Sequence, residues 1–372
     1  MDVLSKNLSA LLERAALPLH ERNFSEIVIY GAGNCGRNLA RIARSQGIRV
    51  LAFLDSRAAS ISGIEGTPCH LPTGEESRSF AGRGIPAVIA VFNYGADPTP
   101  IITLLKEVGY ASIISYFEIH ERLGMSPQFW LAPRLGLYEK RKEILQGLEY
   151  FKDPVSRQVY HDHLAIRMTH DQSLMASPAV ETQYAPRDLP PPRQPMRLVD
   201  GGAFIGDTVD FFLDSGFRME AVAAFEPDMV NFKKLVDASE RYRAEGIKTL
   251  LYPCGIGGKT DMLRFQGGQG AGSQLTEQGD LHVQVLNLDD VLPNFNPTLI
   301  KLDIEGAELD ALRGASRTIQ QCKPDLAVCV YHTPAHLWEI PALIKAMLPS
   351  KRLFLRSHRF NGFDTVLYAV TR

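Results

Sequence analysis

Apolar runs in the second half of the chain recur at intervals that are typical of strands separated by helices. The first five runs are apolar enough to be buried on both faces, as parallel strands are. The last two are separated only by RFNGFD, which predicts an antiparallel hairpin at the edge of a sheet. We therefore predict a seven-stranded, mostly parallel sheet. The runs are LVDGG, AVAAFEP, LLYPCGI, TLIKLDIEG, DLAVCVYH, RLFLRSH and TVLYAV.

A long polar stretch lies between the third and fourth of these runs. Its sequence, KTDMLRFQGGQGAGSQLTEQG, is rich in glycine. Because a loop of this length inside a domain is more often functional than idle, we predict that it covers the site or binds the substrate.

The first third of the chain has a second α/β pattern. EIVIYGAGNCGRNLARIARSQG predicts a strand, a glycine turn and a helix, and VLAFLDS, PAVIAVFN and ASIIS predict further strands. We predict a smaller Rossmann-like domain over residues 1–116, and a helical connector over residues 117–184, where apolar residues are spaced by three and four. PRDLPPPRQPMR has five prolines in twelve residues, so residues 185–196 are predicted to form a linker. The second α/β domain would then cover residues 197–372.

Composition narrows the class of protein. The chain of 372 residues is 45% hydrophobic and 22% charged, which is typical of a soluble globular protein. Its net charge of −2 gives no global basic surface, so we expect no nucleic acid partner. The start, MDVLSKNLSALLERAALPLH, lacks the pattern of a signal peptide, and no apolar run approaches the length of a membrane span.

The cysteines bear on localisation. The chain has an odd number of cysteines, which are scattered and form no C-x-x-C pair. They are Cys35, Cys69, Cys254, Cys322 and Cys329. Reduced thiols are the simplest interpretation, and we expect a cytoplasmic protein.

The segment LVDGGAFIGDT predicts a ligand-binding turn between a strand and a helix. Asp200 ends the predicted strand, and Gly202 and Gly206 lie where a side chain would block a ligand or the packing of the helix. Such a turn presents free amide N–H groups, which suit a nucleotide or an amino-acid carboxylate. Glu226 ends the next strand, near the offset at which nucleotide sites place an acid for ribose hydroxyls. Phe204 replaces the middle glycine of G-x-G-x-x-G, which argues against a dinucleotide here.

Charged residues at the end of the fourth apolar run are the main catalytic candidates. Lys301, Asp303 and Glu305 alternate along TLIKLDIEG, so we expect all three side chains on one face at the carboxyl end of a strand. Ligands bind at that rim in open α/β sheets, and His332 ends DLAVCVYH at the same rim. We predict that Asp303 lies beside both cofactor and acceptor, with His332 and Glu305 as further catalytic candidates.

Three motifs in a fixed order resemble one enzyme family. D-x-G-A-x-x-G, F-E-P and I-K-L-D-I-E-G-A-E, within about residues 198–372, resemble the FkbM family of S-adenosylmethionine (SAM) dependent methyltransferases. Asn287, Asp289 and Asp290 resemble a further family element, although the two aspartates would also cap a turn. The resemblance implies a Class I methyltransferase fold, SAM as cofactor, and O-methylation of a sugar, glycan precursor or natural product. The residues assigned to cofactor binding are Asp200, Gly201, Gly202, Phe204, Gly206, Asp207, Thr208, Glu226, Pro227 and Asp303.

Two chemical routes to methyl transfer stay open at this point. An alcohol acceptor must lose its proton, for which Asp303 or His332 would be the general base. Alternatively, Mg²⁺ would bind the hydroxyl group, with Asp303, Glu305 and His332 as its ligands. No dedicated metal site is predicted. His161, His163 and His170 lie in a predicted helix that supplies no Cys or Glu in register with all three, so we assign no metal there.

The N-terminal region carries a second candidate site. Gly31, Gly33 and Gly36 form G-x-G-x-x-G between a predicted strand and a helix, with Asn34 inside the turn and Asp55 ending the next strand. FLDS and GIEGTPCHLP resemble the N-terminal domain of sugar-modifying acyltransferases that act on nucleotide sugars. This implies a bound nucleotide or nucleotide sugar. The alternative is a Rossmann-like scaffold that only packs or dimerises.

Three functions remain open from the sequence. The first is a SAM-dependent O-methyltransferase with a small-molecule or saccharide acceptor. The second is an NAD-linked oxidoreductase centred on the N-terminal glycine turn, although no recognisable catalytic motif follows it. The third is a non-catalytic protein that binds a nucleotide sugar. A homo-oligomer is compatible with all three.

Overall fold

The chain folds into two units, each of which contains its own open sheet. In a computed structural model, the described residues are 2–17, 19, 24–61, 63–126, 129–175, 182–266, 274–275 and 281–371. The first unit comprises residues 1–145, 158–179 and 359–363, and the second comprises residues 146–157, 180–358 and 364–372. Each unit is therefore discontinuous in sequence. The four consecutive segments predicted from the sequence stay a prediction.

The first unit contains a five-stranded parallel sheet. Its strand order is β3-β2-β1-β4-β5. The strands are β1 (Glu26–Tyr30), β2 (Arg49–Leu54), β3 (Cys69–His70), β4 (Ala87–Ile89) and β5 (Ile113–Ile114). The helices are α1 (Val3–Ala15), α2 (Asn34–Ser45), α3 (Glu75–Gly82), α4 (Thr99–Val108), α5 (Tyr116–Arg122) and α6 (Arg134–Glu139). Two further helices, α7 (Arg141–Glu149) and α8 (Pro154–Thr169), contribute residues to both units.

Apolar side chains of the central strands and of helix α4 form the core on one face of this sheet. Val28 of β1, Leu54 of β2 and Ile89 of β4 are fully buried there. Leu105 and Val108 of α4 pack in the same cluster. Helix cover on a parallel sheet removes both faces of the strands from water, which explains the continuous apolar runs in the sequence.

The second unit contains a seven-stranded sheet with the order β15-β16-β14-β13-β6-β7-β8. Five of its strands are parallel, and β15 and β16 are antiparallel to each other, as predicted. The strands of this unit are β6 (Met196–Gly201), β7 (Met219–Phe225), β8 (Lys248–Tyr252), β9 (Gly255–Ile256), β10 (Asp261–Gln266), β11 (Gln274–Leu275), β12 (Leu281–Leu286), β13 (Leu299–Leu302), β14 (Asp325–Cys329), β15 (Arg352–Ser357) and β16 (Thr365–Val370).

The stretch between β8 and β13 that was predicted to be a loop is in part a sheet, so the prediction of a loop was wrong, whereas its role in covering the site or binding the substrate stays a prediction. Strands β9 to β12 form a four-stranded sheet in the order β11-β10-β12-β9. LRFQ and LHVQV each alternate polar and apolar residues as a half-exposed strand does. The nearby glycines favoured the prediction of a loop instead. Residues 267–273 and 276–280 of this stretch lie outside the described residues.

Helices connect the strands of the second unit. The sequence GAELDALRGASRTIQQC forms two helices that meet at Ala315. Within the described part of the chain, no helix is both long enough and apolar enough to cross a membrane. The helices are α9 (Asp207–Asp214), α10 (Met229–Ala244), α11 (Leu288–Val291), α12 (Glu308–Gly314), α13 (Ser316–Cys322) and α14 (His336–Met347).

The register of the three central strands brings their carboxyl ends to one edge of the sheet. Leu302 of β13 lies opposite Gly201 of β6, and Gly201 lies opposite Phe225 of β7. The chain leaves β6 towards β7 and β8 on one side, and later fills the other side with β13 and β14. In open α/β sheets, ligands bind outside the carboxyl ends of strands at such a change of direction.

Gly206 joins the turn after β6 to helix α9 and lies against helix α10. Its φ angle is +95°, and a Cβ atom there would meet the hydroxyl group of Tyr242 and the side chain of Leu235. The sequence-based interpretation was that a side chain here would block a ligand or the packing of the helix on the sheet, whereas the contacts in the structure are with helix α10.

Replacing Gly206 with alanine should therefore destabilise the protein more than the same change at Gly216. Gly216 has a similar φ angle of +79°, but no heavy atom lies within 4 Å of a Cβ placed there. We expect Gly206→Ala to lower the free energy of unfolding by about 1–3 kcal/mol more than Gly216→Ala, because overpacking adds to backbone strain. Urea denaturation followed by circular dichroism measures both. Equal effects would contradict the packing role of Gly206.

Candidate active site

A buried ion pair joins the two central strands of the second unit. Lys301 of β13 lies directly opposite Asp200 of β6, and its Nζ is 3.0 Å from Asp200 Oδ1. The same Nζ donates a hydrogen bond of 2.7 Å to the carbonyl oxygen of Gly202. Burial opposes the charge on Lys301, but the attraction of Asp200 and Asp303 outweighs it and raises the pKa of the ammonium group. Asp200 has no exposed surface, so it holds the turn and offers no direct contact to a ligand.

The glycine turn after β6 is tightly packed against the end of β13. The φ angle of Gly202 is +75°, and a Cβ atom there would overlap the carbonyl oxygen of Asp303. The amide groups of Gly202 and Ala203 both donate to the carbonyl oxygen of Phe225, at 3.0 and 2.9 Å. These two amides are therefore not free to bind a ligand. The sequence-based expectation of free amide groups in this turn was wrong for Gly202 and Ala203. Glycine is needed here because the two turns approach each other so closely.

Glu226 follows β7 and is bonded to the same turn. Its Oε2 accepts a hydrogen bond of 2.9 Å from the amide of Phe204, and its Oε1 accepts one of 2.8 Å from the amide of Asp228. Burial raises the pKa of Glu226 to about 7, and the two amide hydrogen bonds oppose this rise. Each carboxylate oxygen keeps a second lone pair. The carboxyl group is thus fixed at the sheet edge and able to accept further hydrogen bonds.

The other residues assigned to the cofactor surround this turn with differing exposure. Phe204 and Pro227 are half-buried, so both present surface to a ligand, whereas Thr208 is buried. Asp207 begins helix α9 and is exposed. Within the described residues, no side chain caps the N-terminus of this helix.

Asp303, Glu305 and His332 meet at the carboxyl edge of β13 and β14. His332 Nε2 lies 3.4 Å from Asp303 Oδ1 and 3.5 Å from Glu305 Oε2. On the other side of the ring, Nδ1 lies 2.7 Å from Oε1 of Glu308, a carboxylate with no exposed surface. Glu308 Oε2 is 3.2 Å from His336 Nδ1. The sequence-based expectation that Asp303 and His332 share one rim agrees with this arrangement.

The charges in this cluster shift the proton affinities of its members. Burial disfavours a charged His332, but Glu308, Glu305 and Asp303 outweigh it and raise the pKa of the imidazole to about 10. Burial alone would raise the pKa of Glu308, but the two histidines beside it lower the pKa. Burial raises the pKa of Glu305 to about 7. The charge of His332 opposes this rise, and the negative charges of Asp303, Glu308 and Asp364 add to it. The cluster therefore favours the protonated form of His332 and disfavours the ionised form of Glu305.

The side chains of Asp303 and Glu305 are brought together by a turn, and the predicted alternation along one strand was wrong. Strand β13 ends at Leu302, before either residue. Glu305 has a φ angle of +54°, in the left-handed region that strands do not use. Glu308 fixes this turn, since its Oε1 also accepts a hydrogen bond of 2.9 Å from the amide of Ile304.

Tyr184 completes the site from outside the sheet. Its hydroxyl group donates a hydrogen bond of 2.9 Å to Asp303 Oδ2, and the Nζ of Lys301 lies 5.4 Å from the centre of its ring. Its own amide donates to the hydroxyl group of Tyr368 at 3.0 Å. Burial and the charge of Asp303 raise the pKa of Tyr184, so the phenol remains a donor.

Comparison with known proteins identifies this part of the chain. Residues 200–361 match the family model described as the methyltransferase FkbM domain. We refer to these residues, which are similar to FkbM methyltransferase domains, as the FkbM domain. The crystal structure of methyltransferase FkbM from Methylobacillus flagellatus KT is similar to the chain, with a TM-score of 0.82 and 21% identity over 99% of both chains. This likeness shows a shared fold. No curated protein matches the chain in sequence.

Three residues at the site of the FkbM domain were not assigned a role by the sequence-based analysis. Tyr184 lies just before the proline-rich segment, and no local pattern links it to Asp303. Glu308 lies in the recognised motif, but its burial and its two histidine partners depend on the fold. His336 follows His332 by four residues, and this spacing was the sequence feature that could have linked His336 to the site.

The arrangement of side chains does not fit a Mg²⁺ ion. Among the described residues, no group of three or more His, Cys, Asp or Glu side chains could hold a metal ion. We therefore derive no step through a metal bound to Asp303, Glu305 and His332.

Further polar residues predicted outside this cluster have structural partners. The carboxylate of Asp289 accepts hydrogen bonds of 2.8 Å from the amides of Arg317 and Thr318, at the start of helix α13. Asn287 caps helix α11 through the amide of Asp289. Asp290 lies 3.5 Å from Arg317. Asp289 thus holds the start of helix α13, whereas Asn287 caps the turn that the sequence had assigned to the two aspartates.

The three histidines near helix α8 have separate environments. His161 Nδ1 is 2.9 Å from Asp162 Oδ1, and His170 Nε2 is 2.9 Å from Glu121 Oε2. His163 packs its ring edge against Trp130. These contacts give each ring its own neighbour.

The N-terminal glycine turn is closed by Asp55. The carboxylate accepts hydrogen bonds from the amides of Ala32 at 3.0 Å and Arg57 at 2.9 Å. Burial would raise the pKa of Asp55, but these bonds outweigh it and lower the pKa. A Cβ atom on Gly36 would overlap the carbonyl oxygen of Gly31, so Gly36 allows helix α2 to pack on the turn. Asp55 therefore has a structural task in this turn.

Gly33 and Asn34 are the exposed residues of the same turn. Helix α2 begins at Asn34, and Gly33 is its N-cap residue. No heavy atom lies within 4 Å of a Cβ placed on Gly33. A nucleotide at this position stays a prediction.

The ion pair between Lys301 and Asp200 should be essential for the stability of the FkbM domain. We expect Lys301→Met to lower the free energy of unfolding by about 3–5 kcal/mol, because it leaves Asp200 buried without a counter-charge. The matched control is Lys259→Met, which removes an exposed pair at 2.9 Å from Asp261 and should not change the unfolding midpoint measurably. Urea denaturation measures both variants. A Lys301→Met protein as stable as the control would contradict this role.

Proposed function

We propose that the FkbM domain transfers a methyl group from SAM to a hydroxyl oxygen of a sugar, a glycan precursor or another natural product. The observation that carries this proposal is the fixed carboxylate of Glu226 beside the glycine turn, at the edge where the strand order changes direction. Five parallel strands with an antiparallel hairpin at one edge also support a Class I methyltransferase fold.

The residues around the turn fit a nucleoside with an amino-acid tail. The free lone pairs of Glu226 are suited to the two ribose hydroxyl groups. The half-buried Phe204 and Pro227 offer apolar surface beside them. The uncapped N-terminus of helix α9 suits a carboxylate. We assign Asp200 and Gly202 to the positioning of the turn, since Asp200 is fully buried.

The acidic cluster would supply the remaining chemistry. SAM carries a methyl group on a sulfonium, which is transferred by in-line attack of a nucleophile held close to it. The acceptor hydroxyl must lose its proton, and a general base works best with a pKa near the operating pH. Glu305, with its pKa of about 7, fits this task, and Asp303 lies beside it. The carboxylates around His332 raise the pKa of its imidazole, so it is less available than Glu305 as the base.

Isothermal titration calorimetry with SAM, NAD and a nucleotide sugar tests the proposal. We expect SAM to bind and Glu226→Ala to weaken its affinity by about 10- to 100-fold, since hydrogen bonds to a charged group are lost. The control is Glu240→Ala, an exposed residue of helix α10, which should bind SAM as the wild type does. Absence of SAM binding to the wild type would overturn the proposal. Any nucleotide-sugar signal should survive Glu226→Ala, since the N-terminal turn would produce it, and equal loss of both signals would contradict two sites.

The pH dependence of the rate tests Glu305 as the base. At saturating SAM, kcat should rise as the pH increases through about 7, because Glu305 accepts a proton only when ionised. The groups that face it are His332, Asp303, Glu308 and Asp364. We expect Glu305→Gln to lower kcat by about 10²- to 10⁴-fold and to remove this step from the profile.

The same measurement on Asp303→Asn separates the two acids. If Glu305 is the base, Asp303→Asn keeps a step in the profile, although its position moves because a neighbouring charge is lost. A profile that is unchanged in Glu305→Gln would show that another group takes the proton.

A further inference from the structure

Tyr184 supplies the hydrogen bond that fixes the orientation of the Asp303 carboxylate. Its hydroxyl group donates to Oδ2 at 2.9 Å. The other oxygen, Oδ1, lies 3.4 Å from His332 Nε2, but the geometry there is not that of a hydrogen bond. Among the described residues, the phenol is therefore the side-chain donor that holds this carboxylate. Because the Asp303 side chain is 24% exposed, it keeps surface for a ligand while one of its oxygens is bound.

The backbone of Tyr184 adopts a conformation that is rare for a bulky residue. Its φ angle is +66°, in the left-handed region where a Cβ atom crowds the following carbonyl oxygen. Such a conformation persists only where neighbouring contacts hold it, and these cases cluster at functional sites. The amide of Tyr184 makes such a contact, since it donates a hydrogen bond of 3.0 Å to the hydroxyl group of Tyr368. This bond fixes the direction in which the side chain leaves the backbone.

The edge hairpin of the second unit anchors the segment that carries Tyr184. Tyr368 lies on β16, and His358 Nε2 lies 2.9 Å from its hydroxyl group. Four residues after Tyr184, Asp188 Oδ2 accepts a hydrogen bond of 2.9 Å from Arg356 Nε of β15. Strands β15 and β16 pair along their whole length. The segment is therefore attached at two points to the sheet, and the phenol is held in place before any ligand binds.

The ring of Tyr184 lies over the buried ion pair of the same edge. Lys301 Nζ is 5.4 Å from the centre of the ring, a distance typical of a cation–π contact, and 3.0 Å from Asp200 Oδ1. One side chain thus contacts the ammonium group through its ring and Asp303 through its hydroxyl group. A change that removes the hydroxyl group alone leaves the contact with Lys301 in place.

We propose that Tyr184 is a positioning residue of the methyl transfer, whose hydroxyl group holds Oδ2 of Asp303 so that Oδ1 stays beside His332 and Glu305. The inference rests on the proposed function and adds to it a residue outside the sheet on which the rate depends. Tyr184 itself exchanges no proton in the reaction, because burial and the charge of Asp303 raise the pKa of the phenol.

The placement of Asp303 affects the reaction through the group beside it. Burial raises the pKa of Glu305, and the negative charge of Asp303 adds to this rise. A carboxylate that turns away would alter both the charge next to the base and the shape of the exposed surface. Because a displacement of about 1 Å at a reacting site can cost about 100-fold in rate, one hydrogen bond to Asp303 has a measurable effect on kcat.

The variant Tyr184→Phe tests the inference, since it removes the hydroxyl group and keeps the ring. Methyl transfer is measured with the full chain, methyl-labelled SAM and a panel of methyl glycosides and simple alcohols. We expect kcat to fall about 10- to 100-fold, while the KM for SAM and the affinity for SAM in calorimetry stay within about twofold of wild type. In a crystal structure of the variant, Asp303 Oδ1 should have moved away from His332 Nε2.

Two further variants separate positioning from loss of stability. Tyr110→Phe is the matched control, because Tyr110 is a buried residue of the first unit whose hydroxyl group donates to the carbonyl oxygen of Ser77 at 3.0 Å. It loses a similar buried hydrogen bond and should keep the wild-type kcat. Tyr368→Phe removes the acceptor of the Tyr184 amide and leaves the phenol in place. It should lower kcat about 3- to 10-fold with the KM for SAM unchanged.

The outcomes distinguish this inference from the proposed function. An unchanged kcat in Tyr184→Phe, or an Asp303 carboxylate that stays in place in its crystal structure, would overturn the positioning role. An equal fall of kcat in Tyr110→Phe, or a loss of SAM affinity in Tyr184→Phe, would overturn it as well, since the effect would not act through Asp303. A wild-type protein that binds no SAM, or that methylates no member of the panel, would instead overturn the proposed function.

Discussion

The ion pair between Asp200 and Lys301 is the interaction on which the site of the second unit depends. It crosses the two strands at the middle of the seven-stranded sheet, where neither side chain has contact with water. Two buried charges are tolerated only when they satisfy each other and nearby polar groups, and Lys301 also binds the carbonyl oxygen of Gly202. The glycine turn and the end of β13 are thus held together by one ammonium group.

Buried carboxylates organise the rest of the same edge. Glu226 binds two amides of neighbouring loops, and Glu308 binds an amide and two histidines. Each carboxylate accepts hydrogen bonds from several donors at once. These bonds offset the free energy that is lost when the charged group is removed from water. Asp303 and Glu305 differ from these two because they remain half-buried at the mouth of the site. This division separates groups that hold the structure from groups that meet a ligand.

The candidate site was predictable where motif and strand end coincide. Asp200, Glu226 and Asp303 each follow or end an apolar run, and the register of parallel strands brings such ends to one edge. Tyr184 was not predictable, since its bond to Asp303 joins residues far apart in sequence. The raised pKa of His332 was not predictable either, because it results from three carboxylates that only the folded chain assembles.

By itself, the sequence determined the seven-stranded sheet with its edge hairpin and the similarity of residues 200–361 to the FkbM methyltransferase domain. The number of strands and the hairpin follow from apolar periodicity and connection length, which are local properties of the chain, whereas the strand order came from the structure. Only the tertiary structure decided that Asp200 is buried, that the glycine-rich stretch contains β10 and β11, and that Glu308 holds His332. The physical reason is that burial and the charge of neighbours, which set these properties, depend on side chains brought together from distant segments.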